Sequence, residues 1–174
     1  MSADGKVQTV RSLMLAAILI CMTPITCRIA SGKAAPVDPC SVLPATELNA
    51  VLGQQFGPPS QNPLPPAVAN GVTGNQCIYH ALAGSPRTVT LIIYFDGSDA
   101  DAESNLAQLA KFFHPTKTLT GIADAAYLDA NNAVHARAGR ARYYINVTTT
   151  AGAPPSEPEK NLRELTAYVA AQVK

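Results

Sequence analysis

No run of uncharged apolar residues in this chain is long enough to cross a bilayer. The longest, LMLAAILICM from Leu13 to Met22, is half of the roughly 20 residues a spanning helix needs. Catalytic signatures are missing too. There is no G-x-S-x-G, no H-E-x-x-H and no phosphate-binding glycine loop, so the usual hydrolase, zinc-protease and nucleotide sites have no local template. Histidine is scarce, with His80, His114 and His135 far apart, and none has a neighbouring nucleophile. Cys-x-x-Cys is absent, which argues against a thioredoxin-like redox pair. Basic charge shows no surplus either. Lys and Arg number 13 against 12 Asp and Glu, so counterion release cannot drive binding to nucleic acid.

What is present begins with a leader. Lys6 and Arg11 precede the apolar run, and Pro24 and Arg28 end it, the layout of a secretory signal peptide. Residues 1–34 are therefore expected to be a signal, with Gly32-Lys33-Ala34 before the cut. An alternative exit is lipidation at Cys27, although Pro24-Ile25-Thr26 is a poor match to a lipobox. Such an anchor would be the chain's one attachment to a membrane. Without residues 1–34 the basic residues fall from 13 to 9 and the acidic from 12 to 11, a net charge of −2. A nucleic-acid partner is not expected.

Two of the four cysteines, Cys21 and Cys27, belong to the leader, which leaves Cys40 and Cys77. Two thiols in an exported domain most simply form one disulfide. Zinc would want more ligands than two isolated cysteines. The segment between them is rich in Pro, Gly and Asn at about 54–75, and it has little to bury. Closing it is worth about 4 kcal/mol in the chain-entropy treatment.

Residues 35–174 suit a single domain. A short helix is predicted from about Pro44 to Leu52, with Gly53 past its end. Strands are predicted at 77–82 and 87–95, the second with Val89, Leu91, Ile93 and Phe95 on one face and Ile92 and Tyr94 on the other, so that both faces are covered. A second helix runs from Asp99 to Phe113, N-capped by Ser98, with Ala102, Leu106, Leu109 and Phe113 as its apolar stripe. The acidic run DGSDADAE at 96–103 fits this helix start better than a calcium loop. Three strands follow near 125–129, 133–138 and 141–149, and then a third helix opened by a capping box at Ser156-Glu157-Pro158-Glu159. The expected fold class is α+β, in the order α-ββ-α-βββ-α. It consists of one antiparallel sheet of about five strands with helices mainly on one face, and one disulfide.

DPCSVLPATELNAVLG (38–53), the later Cys77-Ile78-Tyr79 strand and GIADAAY (121–127) together resemble landmarks of a bacterial family of secreted proteins and lipoproteins, the domain of unknown function 3558. The likeness runs over roughly residues 38 to 150. It implies export, a Cys40–Cys77 bridge and a compact α+β domain, and supplies no catalytic residues. More loosely, the arrangement is similar to the PsbP/Mog1-like fold and to extracellular sensor domains of bacterial receptor kinases, which are binding and assembly modules.

One constellation stands out. A two-residue turn at Gly139-Arg140 would pair Ala138 with Ala141, Arg137 with Arg142 and His135 with Tyr144. Opposed like charges destabilise a ladder unless something neutralises them. Either a carboxylate does so, or the hairpin is an anion-recognition patch of Arg137, Arg142, Arg140, His135 and Tyr144. The expected function is a non-catalytic, exported cell-envelope binding or assembly domain without cofactor or metal. Its partner would be an envelope protein or a small anionic ligand. The rival is a small envelope hydrolase whose site is assembled from distant residues around His80 or His114. A His bonded to both a carboxylate and a hydroxyl would mark it.

Overall fold

The computed structural model describes residues 37–63, 74–84, 86–149 and 157–174, all within a unit spanning Ala35–Lys174. The expected signal peptide, its cleavage site and Cys27 lie outside the described residues. No described helix is long and apolar enough to cross a membrane.

The chain opens with a single turn, α1 (Pro39–Val42), held by Asp38, whose side chain accepts from the Cys40 N–H. Helix α2 (Ala45–Leu52) follows and ends at Gly53, whose φ of 63° suits a left-handed C-cap. Strands β1 (Ser60–Pro63), β2 (Gly74–His80) and β3 (Arg87–Phe95) form an antiparallel meander. Helix α3 (Asp99–Phe113) begins as expected: the Ser98 hydroxyl accepts from the Asp101 N–H. Then come β4 (Lys117–Thr118), β5 (Ala125–Leu128), β6 (Val134–Ala138), β7 (Ala141–Thr149) and α4 (Glu159–Val173).

All seven described strands make one antiparallel sheet in the order β1-β2-β3-β7-β6-β5-β4. The α+β class, the antiparallel sheet and the disulfide agree with the sequence reading, whereas the strand count and element order differ. The two extra strands, β1 and β4, are short edges, with Ser60, Gln61, Asn62, Lys117 and Thr118 exposed. They are ordered by backbone hydrogen bonds to a neighbour, not by burial, so no apolar pattern announces them. Ser156, the cap of the expected capping box before the last helix, lies outside the described residues. Pro158 is the N-cap and bonds through no side chain, while Glu157 turns to Arg87 at 3.2 Å and to Asn161.

One face of the sheet carries the core. Val89, Leu91 and Ile93 of β3 lie there, with Tyr143, Ile145 and Val147 of β7, and Val134 and Ala136 of β6, against Leu48 of α2 and Leu162, Leu165 and Val169 of α4. Two core tyrosines tie helices to strands through their hydroxyls. Tyr79 donates to the Leu43 carbonyl, and Tyr143 donates to the Thr166 carbonyl at 3.0 Å. Burial raises both phenols well above their ordinary value, which leaves them neutral donors. The Cys40–Cys77 disulfide adds a covalent tie between α1 and β2.

Among the described helices α3 alone crosses to the opposite face, where it packs on β6 and β7. This placement divides that face. β6 and β7 lie under α3, while on β3 the residues Thr88, Thr90, Ile92 and Tyr94 are half-buried. The expectation of a strand buried on both sides is therefore corrected. The α3 stripe is long enough for part of the sheet only, and it sits over β6 and β7.

Candidate binding face

Alternation fixes which side chains meet on the second face. Cross-strand register sets them in rows: Gly74–Tyr94–Arg142–Arg137, then Gln76–Ile92–Tyr144–His135–Tyr127, then Ile78–Thr90–Asn146, then His80–Thr88–Thr148. Ser60 and Asn62 extend two of these rows onto β1.

The turn at Gly139-Arg140 sets the expected register. Ala138 faces Ala141, Arg137 faces Arg142, and His135 faces Tyr144. Gly139 has φ of 55°, a left-handed conformation that glycine adopts without strain. Each arginine has a carboxylate. Arg142 grips Asp96 with two bonds, Nε to Oδ2 at 2.5 Å and a terminal nitrogen to Oδ1 at 3.1 Å, and both side chains are almost fully buried. Asn105 of α3 donates to the same carboxylate at 2.8 Å. Arg142 also stacks over the Tyr94 ring at 5.2 Å, and that ring lies across Gly74, where any Cβ would clash with it. Arg137 reaches Asp124 at 3.7 Å and the Gly139 carbonyl at 3.2 Å. The Gly139 N–H, with Lys174 and Arg137 adding to it, holds the Asp124 carboxyl below the usual range. Arg140, at the tip, lies over Phe95 at 5.9 Å. The guanidinium of Arg142 is thus engaged within the fold. Asp96, which the sequence reading assigned to a helix start, is its partner.

His135 is buried in an aromatic box. Phe113 of α3 lies at 4.5 Å, Tyr127 is stacked at 4.9 Å, and Tyr144 meets it edge-on at 5.0 Å. Its Nε2 bonds the Asp129 carboxylate at 3.1 Å. Asp129 Oδ1 accepts from the Asn131 and Ala133 N–H groups, which anchors the turn between β5 and β6. Burial lowers the His135 pKa, and the Asp129 bond opposes this less strongly. Tyr127 and Tyr144 are pushed up to about 12 by the same burial, so both remain protonated and neither serves as a base.

The other histidines lie elsewhere. His80 is exposed and its Nδ1 sits 3.1 Å from the Thr88 hydroxyl. His114 closes α3 as a left-handed C-cap. An open groove of about 460 Å³ between the α2 end and the β2–β3 turn is lined by Leu52, Gln54, Gln55, Ala83 and Arg87 among others, with no histidine or carboxylate. Gln54 spans it, donating to the Ala83 carbonyl at 2.6 Å. Among the described residues no three His, Cys, Asp or Glu side chains gather as a metal site would require.

Beyond Tyr144, among the described residues, no helix packs on the face and no carboxylate or guanidinium stands in its rows. Gln76, Ile78, Thr90, Ile92, Asn146 and Thr148 are half-buried, and the Asn146 Oδ1 is buried. This open half-face was invisible to motif reasoning, since its residues read as an ordinary solvent side of strands. In comparisons with known protein families, curated proteins and solved structures, the chain matched none.

Proposed function

We propose that this chain is an exported, non-catalytic binding domain of the cell envelope that presents the open half of its sheet to a ligand. The observation that carries the reading is the division of the second face. α3 packs on β6 and β7, and the β2–β3 surface beside it holds half-buried polar side chains on paired strands. A sheet face already fixed in register binds without an ordering cost.

The histidines support a non-catalytic role. A hydrolytic dyad needs one imidazole joined to both an orienting acid and a nucleophile. His135 has the acid, Asp129, and aromatic rings around it; His80 has a hydroxyl, Thr88, and is exposed. The bonded Cys40 and Cys77 suit the oxidising compartments outside the cytosol, in keeping with the leader. They also fit what the resemblance to the secreted family implies.

The test is a photo-crosslinking residue at Thr90, with Gln172 on the exposed side of α4 as control, in exported protein within intact envelopes. Adducts are expected at position 90 and not at 172. Adducts at 172 alone, or at neither position, would refute the reading.

A further inference from the structure

We propose that His135 is an acid-operated clasp: protonation of its ring releases the last turn of α3 from the sheet and uncovers Tyr127 and Tyr144.

The two ends of α3 are secured differently. Near the start, Ala102 and Leu106 are buried, and Asn105 donates to Asp96 at 2.8 Å. At the other end Lys111, Phe112 and His114 are exposed. Phe113, itself 39% exposed, meets the sheet by laying its ring 4.5 Å from that of His135. This end of the helix therefore rests on a titratable ring.

His135 is only 4% exposed. Its other walls are Tyr127 of β5 and Tyr144 of β7, and the carboxylate in contact with it is Asp129 of the β5–β6 turn. That carboxylate also accepts from the Asn131 and Ala133 N–H groups. The next row of the sheet holds Arg137 and Arg142, engaged by Asp124 and Asp96. A proton on His135 thus puts a third cation beside two others, among three rings, with one shared carboxylate to answer it. Burial outweighs the pull of Asp129 and holds the imidazole below its ordinary value of 6.5, so the closed box favours the neutral ring. An open state in which water reaches the ring takes up the proton first, and acid therefore favours opening.

The wall that yields is Phe113. Tyr127 and Tyr144 stand on strands paired in register with β6, so moving either breaks the sheet ladder. Phe113 ends a helix whose final bond runs from the His114 N–H to the Ala110 carbonyl, and helix ends open at far lower cost than central strands. Opening beside it also offers water to the Tyr127 hydroxyl, which is buried without a partner among the described residues.

The experiment is fluorine NMR of the oxidised full chain labelled with para-fluorophenylalanine, which follows Phe56, Phe95, Phe112 and Phe113 separately between about pH 7.5 and 5. Below pH 6.5 the population of a state with Phe113 released, read by saturation transfer, should rise by up to about tenfold per pH unit. Phe56 and Phe95 should keep their shifts. His135→Phe should abolish the response. His114→Asn, which removes the neighbouring exposed histidine at a left-handed position that Asn tolerates, should preserve it. The proposal is overturned if Phe113 shows no released state across this range, or if Phe56 and Phe95 change along with it, as in global unfolding. It is equally overturned if the response survives His135→Phe or disappears in His114→Asn.

Discussion

Arg142 and Arg137 face each other across one hairpin, yet their surroundings predict very different costs of removal. Arg142→Gln strands the Asp96 carboxylate, whose side chain is fully buried, while the lost partner is itself only 9% exposed. Two unit charges about 4 Å apart attract by about 4 kcal/mol at an effective dielectric of 20, and removing one member of a buried pair costs about 3–5 kcal/mol. Asp96 keeps its bond from Asn105 at 2.8 Å, which points to the lower end, about 3 kcal/mol. Arg137→Gln is milder. Asp124 is one-third exposed and keeps both Lys174 and the Gly139 N–H, so the cost should stay below about 1 kcal/mol.

Urea unfolding of both variants, followed by far-UV circular dichroism, measures the difference. Asp96→Asn should cost about as much as Arg142→Gln. The double variant should cost clearly less than the two singles added, because the stranded charge is gone. Arg142→Lys should fall between wild type and Gln, since an ammonium cannot make the forked contact. If Arg142→Gln costs less than about 1 kcal/mol, or no more than Arg137→Gln, the pair is not the buried anchor described here.

Reduction of the Cys40–Cys77 bond should cost up to about 4 kcal/mol and lower the melting temperature. Hydrogen exchange should then rise first in α1 and β1, with α4 protected longest; uniform loosening would contradict this. Stability should fall as pH drops below 6.5, because burial holds His135 below that ordinary value and the unfolded chain takes up the proton first. His135→Phe should flatten the slope of urea-derived stability just below pH 6.5, and an unchanged slope would exonerate His135. Tyr127→Phe should be neutral or stabilise by up to about 1 kcal/mol, since the buried Tyr127 hydroxyl has no partner among the described residues; a loss above that would reveal one.

Elements with a strong period were legible in the sequence. β3 and α3 have the predicted bounds, because alternation in RTVTLIIYF and the stripe in DADAESNLAQLAKFF each leave one assignment that buries their apolar residues. The β6–β7 register was equally legible, since a two-residue turn fixes every pair beyond it. Elements held by something other than their own apolar face were not. SQNP in β1 is a strand because β2 offers it an edge, and PCSV in α1 is a helical turn because Asp38 caps it and the disulfide seats it. Asp96 was misplaced for a related reason. It lies two residues before the Ser98 cap and so reads as part of an acidic helix start, whereas its partner is 46 residues away and comes near only through the pairing of β3 with β7.

The open half-face was illegible in a deeper sense. Thr88, Thr90 and Ile92 obey the same alternation whether a helix covers them or water does, and hydroxyl and amide side chains are what any exposed strand carries. What makes the surface unusual is a count made on another element. The stripe of α3 buries Ala102 and Leu106 and packs on β6 and β7, so among the described residues no helix packs on the rest of that face. Which half a single helix covers depends on Asn105 bonding Asp96 and on Phe113 meeting His135, contacts between segments far apart in sequence. A period-two pattern specifies two faces; only the length and tether of the helix on one of them decide how much surface is left for a ligand.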